Sequence, residues 1–298
     1  MNQRLSITAL LLGKLLLWPL IAQAQAQQSD SVGQPALVIL IDDVGDNFDK
    51  GQAAIQLPGP VTYAVLPHSP HGKSLAKQAV ADGKEVMLHA PMENTHDRPL
   101  GPGALTADLN KYDFLQILKK DLDSVPGAVG LNNHMGSLLT QLRPQMGWVM
   151  EVIKQRQLFF LDSRTTSETV AWKVAKEYGI PYLRRDVFLD HERTPEFVHG
   201  QFQLALKMAR DRGVAVVIGH PYPVTVNYLK QALPQLDEMG IRLVTASALL
   251  LEQAEEKRLA EFYQRQKQRA EQHVTIALCE GGQPSCNRLA AQQDTIPD

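Results

Sequence analysis

Cysteine is nearly absent. Two in 298 residues are too few for a disulfide-built scaffold. A basic excess is also missing: the formal net charge is −2 and the pI is about 6.5. Nothing in that balance neutralises phosphates, so nucleic acid is set aside as a partner. No uninterrupted stretch of ~20 apolar residues occurs, because Lys14 breaks the N-terminal run, and a stable membrane span is not expected. A glycine-rich phosphate loop after the first strand is lacking, which speaks against nucleotide binding. A Gly-x-Ser-x-Gly nucleophile elbow is lacking as well. What is present is ordinary for a globular protein, with 44% hydrophobic and 21% charged residues, which excludes whole-chain disorder and a coiled-coil rod. The length suits one large domain with appendages.

Residues 1–26 read as a secretory signal. Arg4 gives a positive start, Ile7 to Ala22 is mostly apolar, and Ala22-Gln23-Ala24 and Ala24-Gln25-Ala26 are small-x-small cleavage sites. A periplasmic or secreted location is therefore expected. In an oxidising compartment Cys279 and Cys286 could close a small disulfide loop. Residues 27–35 read as a polar linker.

From Pro35 onward, short β-branched runs alternate with amphipathic segments. The expected strands are Ala36–Ile41, Val61–Leu66, Glu85–His89, Ala128–Asn132, Leu158–Leu161, Pro181–Leu183, Val214–Ile218 and Arg242–Val244. The expected helices are Phe48–Leu57, Ser74–Asp82, Lys111–Ser124, Gln145–Arg156, Ser167–Tyr178, Pro195–Asp211 and Val226–Glu238. Gly83, Gly179, Gly213 and Gly240 follow helices where a left-handed cap is wanted. This alternation predicts an α/β fold over 36–250, an irregular (β/α) barrel of seven to eight parallel strands, with a doubly wound open sheet as runner-up. Residues 251–298 are expected as a C-terminal helical extension with a loose tail. Between Leu251 and His273 five acidic and five basic residues make a largely solvated face, with a protein partner through this helix as the sharper alternative.

In parallel α/β folds chemistry gathers at the carboxyl ends of the strands. Those positions hold Asp42-Asp43, His89, Asn133-His134, Asp162-Ser163, Arg184-Arg185-Asp186 and Gly219-His220. Two adjacent carboxylates repel each other, and a bound cation removes that cost. Asp43, His89 and His134 form an Asp-His-His set suited to a catalytic divalent metal, with zinc as the default. Asp42 is then placed to accept a proton from water, and His220 to protonate a leaving group.

Each residue also has a plainer structural reading. Asp42-Asp43 before Gly45 could be a turn, and His89 or His134 a hydrogen-bonded core histidine. Asp162 could cap the next helix, and Arg185 could serve a structural ion pair. His68 and His71, three apart between prolines, are assigned to loop and capping duty. Carboxylates for glycoside hydrolysis could be drawn from Asp42, Glu93 and Asp162, but that leaves the histidines idle.

The stretches 37–45 (LVILIDDVG), 85–93 (EVMLHAPME), 130–137 (GLNNHMGS), 159–164 (FFLDSR) and 218–221 (IGHP) together resemble the divergent polysaccharide deacetylases of the NodB-homology superfamily. The resemblance spans roughly 35–250. It implies a metal-dependent amidase acting on N-acetyl sugars of a polysaccharide or oligosaccharide. It also implies that Asp42 is the general base, Asp43 a metal ligand and His220 the general acid. The usual second motif has two metal histidines four residues apart. Here Glu93 stands four after His89, so His134 is expected as the missing ligand, with Glu93 as its rival. Asp162, Arg185, Glu93 and Asn133 are expected to orient catalytic groups or substrate. A different class, an envelope glycan-binding protein without turnover on the same barrel, is the alternative.

Overall fold

The computed structural model describes residues 33–279. The signal segment, most of the linker and the Cys279–Cys286 loop lie outside those described residues or rest on them. Contacts divide the protein into two compact units, the first ending at Leu250 and the second beginning at Leu251.

The first unit is built on β1 (Ala36–Val44), β2 (Thr62–Val65), β3 (Glu85–Met92), β4 (Ala128–Met135), β5 (Phe159–Asp162), β6 (Tyr182–Arg184), β7 (Val187–Phe188), β8 (Val214–Gly219) and β9 (Arg242–Leu243). Around them run α1 (Phe48–Ile55), α2 (Gly72–Ala81), α3 (Lys111–Ser124), α4 (Arg143–Gln155), α5 (Ala171–Glu177), α6 (Pro195–Arg212) and α7 (Pro223–Ala232). Every strand pairing is parallel, in the order β6-β5-β4-β3-β2-β1-β8-β7. The ends meet through one passage of chain. Arg185 N–H donates to Asp162 O on the β5 side at 3.0 Å, and the next residue, Asp186, donates to Val216 O on the β8 side at 2.8 Å. Residues 182–188 thus change partner at one peptide and close an irregular (β/α) barrel. A second irregularity lies beside β1. Its first residues pair with β9, and its pairing with β2 begins only at Leu40.

The two-residue period of the strands separates two cores. Leu37, Ile39, Ile41, Leu88, Ala90, Phe160 and Val217 join the helices in the outer layer. Ala36, Val38, Leu40, Met87, Phe159, Leu161, Val216 and Ile218 fill the barrel interior, together with Ala246 and Leu249. Gly130 of β4 is part of this packing, because a Cβ there would sit 2.6 Å from the Phe159 ring. Helix ends follow local chemistry: Asn47, Asn110 and Thr194 cap α1, α3 and α6 through their side chains, and Gly213 ends α6 at φ +82°.

β1, β3 and β4 run three residues further than their apolar runs predict, and in β1 and β4 the extra residues include Asp42, Asp43 and His134. The short β7 has no separate sequence signal. Val226–Glu238 is instead α7 from Pro223 followed by a 3-10 turn at Leu233–Gln235. His71 makes no side-chain cap bond, and His68 Nε2 lies 2.9 Å from the fully buried Asp121 Oδ1.

The helix α8 (Ala246–Cys279) carries the unit boundary. In the second unit Leu251, Leu259, Phe262 and Tyr263 are exposed, and Arg258–Glu255 is one of its surface ion pairs. No helix among the described residues is long and apolar enough to cross a membrane.

Asp121 gives a stability test. Burial pushes its carboxyl up to about 8, and its Oδ2 has no partner. An unfolded aspartate ionises near 3.8, so across that interval the native state binds the extra proton and stability falls as pH rises. The melting temperature of the wild type is expected to fall between about pH 4 and pH 8, and Asp121→Asn to flatten that slope. An unchanged slope in the variant, measured by thermal denaturation, would remove Asp121 as its source.

Candidate metal centre and active site

Two adjacent strand residues point to opposite faces, so Asp42 and Asp43 cannot share a site on a regular β1. They do so because β1 is bulged. The register against β2 advances from Ile41↔Tyr63 to Val44↔Val65, three residues against two. Asp43 takes φ +56°, a left-handed conformation that aspartate tolerates. Val44 then falls with Leu37, Ile39 and Ile41 in the outer layer, leaving both carboxylates on the inner side. Gly45, at φ +136°, completes the exit, and a Cβ there would collide with Ser69 Oγ.

β4 is shifted in the same way lower down, from Val86↔Ala128 to Leu88↔Leu131, and above that point the interior positions alternate regularly. His89 continues Met87 on β3. Asn132 and His134 continue Gly130 on β4. Ser163 continues Leu161 after β5, and His220 continues Ile218 after β8. At this rim Asp43 Oδ1, His89 Nε2 and His134 Nδ1 form a triangle with sides of 3.2, 2.9 and 3.1 Å. Ligands around a metal with bonds of about 2.0–2.2 Å are separated by roughly 3.0–3.5 Å. Asp43 Oδ1 is also buried without a well-directed hydrogen bond, so its lone pairs are free toward the common centre. These three residues can hold a metal ion, and the donor set of two imidazoles and a carboxylate fits a divalent cation.

Asn132 ties the centre together. Its Oδ1 faces His89 Nδ1 at 2.8 Å, and its amide donates to Asp42 Oδ1 at 2.8 Å and Ser163 Oγ at 3.2 Å. The acceptor on Nδ1 fixes the His89 tautomer that turns Nε2 toward Asp43. Asp42 is buried, with Oδ2 3.7 Å from His89 Nε2. Burial raises its proton affinity, and only partly do the charges of His89 and His220 offset this. Burial also works against charge on Asp43, but the close imidazoles of His134 and His89 outweigh it and hold the carboxyl well below the usual range. One wall of the site thus holds a carboxylate inclined to accept a proton and another inclined to remain charged.

On the opposite wall, His220 Nδ1 lies 2.8 Å from Asp190 Oδ1, and its backbone N–H donates to Asp190 Oδ2 at 2.7 Å. Thr225 Oγ1 donates to the same oxygen at 2.7 Å. His220 Nε2 faces Asp43 Oδ2 at 3.8 Å. Burial alone would lower the imidazole, but Asp190, Asp43 and Asp42 raise it to about 9. The ring stacks against Phe188 and Tyr222, each 5.3 Å away by centroid.

The structure therefore brings together Asp42, Asp43, His89, His134 and His220. Four other expected site residues are engaged elsewhere. Glu93 Oε2 accepts from Ala107 N–H at 2.6 Å, so the side chain holds a loop and lies outside the ligand triangle. Asn133 is out of phase with the interior and spans Ser163 N–H and Met135 O. Asp162 is out of phase too, accepting from Arg164 N–H, Thr169 Oγ1 and Trp172 N–H. Arg185 donates to Ser163 O and Arg164 O beside the Phe188 ring, and Asp42 feels its charge. Asn132, Ser163 and Asp190 were the missed members. Strand parity counted from Gly130 and Leu161 signals the first two, whereas Asp190 follows a strand too short to show a period.

The fold and site define a parallel barrel whose rim carries a metal-competent Asp-His-His centre between a buried carboxylate and an aspartate-backed histidine. A family model for divergent polysaccharide deacetylases matches residues 39–250, and the chain belongs to that family. It is 37% identical over 216 residues to the uncharacterized protein YibQ of Escherichia coli (strain K12), covering 72% of this chain and 67% of that one. An uncharacterized protein of Haemophilus influenzae is 35% identical over 216 residues, covering 72% and 77%. Among solved structures, an uncharacterized protein of Agrobacterium tumefaciens C58, ATU2773, shares the fold with a TM-score of 0.70 at 22% identity, covering 72% of this chain and 89% of that one.

Asn132→Leu is expected to weaken divalent-cation affinity roughly 10- to 100-fold while retaining the fold, because an outer hydrogen-bond partner orients its ligand. Competition against a chelator, with circular dichroism as control, checks this. Unchanged affinity would mean that His89 is oriented without Asn132.

Proposed function

We propose that this protein is an exported, metal-dependent carbohydrate N-deacetylase that removes acetyl groups from N-acetylated sugars of an envelope polysaccharide. The observation that carries the reading is the convergence of Asp43, His89 and His134 between Asp42 and the His220–Asp190 pair, in a chain of the divergent polysaccharide deacetylase family. Asp43, His89 and His134 would hold the divalent cation, with zinc the first choice for this donor set and manganese, cobalt or nickel compatible with it. Such a cation, when bound, polarises an amide carbonyl and acidifies water.

The chain's own groups account for the protons. Asp42, anchored through Oδ1 by Asn132, takes a proton from the attacking water at its free oxygen. His220 carries a proton on Nε2 because Asp190 holds Nδ1, and delivers it to the sugar nitrogen as the C–N bond breaks. Water and amide thus become acetate and amine. Phe188 and Tyr222 pack against the imidazole, which holds its orientation. Export is supported by the N-terminal sequence pattern.

Elemental analysis of the purified mature protein tests the centre. Stoichiometric metal is expected in the wild type and its loss in both His89→Ala and His134→Ala. Acetate release from N-acetylglucosamine oligomers is then expected to fall about 10²- to 10⁴-fold in Asp42→Asn with metal retained. Failure to bind metal after reconstitution would sink the hydrolase. Metal binding without acetate release from any acetylated glycan would favour a glycan-binding protein instead.

A further inference from the structure

Each of the two rings that pack on His220 carries a cation over it. The Arg185 guanidinium lies 4.6 Å from the Phe188 ring, and that of Arg193 lies 3.9 Å from the Tyr222 ring while donating to its hydroxyl at 2.8 Å. Arg164 is next to Arg185, which donates to its backbone carbonyl at 2.8 Å and feels its charge. Arg164 is exposed and sits at φ +49°, a conformation costly for a non-glycine residue and worth reading as functional where it occurs beside a site. Its N–H is held by Asp162 Oδ1, so buried structure enforces the strain.

None of these three arginines has a carboxylate within 4 Å among the described residues. Arg143, Arg156, Arg212 and Arg258 each do, with Glu177, Asp123, Asp186 and Glu255. Glu192 adjoins Arg193 in sequence and makes no ion pair with it. Arg164 and Arg185 moreover repel each other: burial first, and then Arg164, depress Arg185, with Asp42, Asp162 and Asp186 opposing at longer range. Guanidinium groups without a carboxylate partner beside the His220 stack, in a chain of formal net charge −2, are a local reversal of sign near the site. Guanidinium groups recognise carboxylates and phosphates through paired N–H donors.

We propose that Arg164, Arg185 and Arg193 form an anion-recognising rim, so that the substrate is an acidic glycan with a carboxylate or phosphate on or beside the N-acetylated sugar. The proposal rests on the deacetylase reading for its substrate, but its test is one of binding. Arg185 and Arg193 pack on the two rings that contact His220, placing the anion next to the reacting unit rather than several residues along the glycan. Its field also draws an acidic polymer toward the site from solution.

Titration calorimetry on the full-length, metal-loaded protein tests this. The probes are a tetrasaccharide alternating glucuronate and N-acetylglucosamine, its carboxyl-reduced counterpart, and N-acetylglucosamine 6-phosphate. The acidic tetrasaccharide is expected to bind about tenfold more tightly than the reduced one, with the advantage shrinking as salt is raised. Arg164→Gln and Arg193→Gln should each diminish it and the double variant abolish it. Arg210→Gln, an exposed change on α6, should leave it intact. Tighter binding of the phosphate sugar, lost in the same variants, would support the rim and make phosphate its anion. Equal affinity for acidic and reduced tetrasaccharides, no binding of either anionic probe, or a preference intact in the double variant would overturn the proposal. The two readings fail separately. Acetate release without charge preference removes the rim and keeps the deacetylase, whereas arginine-dependent binding without acetate release does the reverse.

Discussion

The site depends on one departure from the pleat. A strand sends neighbouring side chains to opposite faces, yet Asp42 and Asp43 are neighbours and both are needed inside the barrel. The bulge at Asp43, with φ +56°, inserts one residue into β1 and returns Val44 to the outer layer. β4 carries a second register shift lower down, between Ala128 and Leu131, and above it the phase is regular. His89, Asn132, His134, Ser163 and His220 all lie on the interior phase of strands whose lower residues fill the barrel. The site is the uppermost layer of the same packing.

Charge governs what that layer can do. Six ionisable groups, Asp42, Asp43, His89, His134, Asp190 and His220, sit buried or half-buried in this layer, each close to another of them. Asp43 remains an anion against the two imidazoles, while burial leaves Asp42 inclined to take a proton. Asp190 keeps His220 charged. Asn132 is the neutral link, contacting His89 and Asp42 with opposite ends of one amide. A charged residue in that place would upset the balance on both sides, whereas an amide donates and accepts without adding charge.

The closure of the barrel and one wall of the site are built from the same stretch of chain. Between Arg185 and Asp186 the backbone changes hydrogen-bond partner from β5 to β8. The kink places the Arg185 side chain along the rim, Phe188 on one face of His220, and Asp190 behind its ring. A longer regular strand would have turned Arg185 to the face opposite Phe188 and Asp190. The short, interrupted β6 and β7 wrap them around a single imidazole.

Much of this was legible in the sequence. Apolar runs of period two separated by helical segments specify a parallel α/β barrel, because burial on both faces of a strand demands such runs. Polar residues directly after those runs located Asp42, Asp43, His89, His134 and His220. The pattern gave out where polarity interrupted hydrophobicity. β1, β3 and β4 continue through residues that a hydrophobic signal takes for loop, so parity was not carried upward, and Asn133 and Asp162 were expected where Asn132 and Ser163 stand. Glu93 sits at the right spacing for a ligand but turns to the Ala107 amide, a partner supplied by a loop fourteen residues on. The sequence by itself determined the elements, their order and the chemical types at the rim, since these follow from local periodicity. Which carboxylate faces inward, which asparagine bridges and which arginines flank the histidine were decided only by the tertiary structure. Those choices depend on a bulge, a strand register and a barrel closure set by contacts between distant segments.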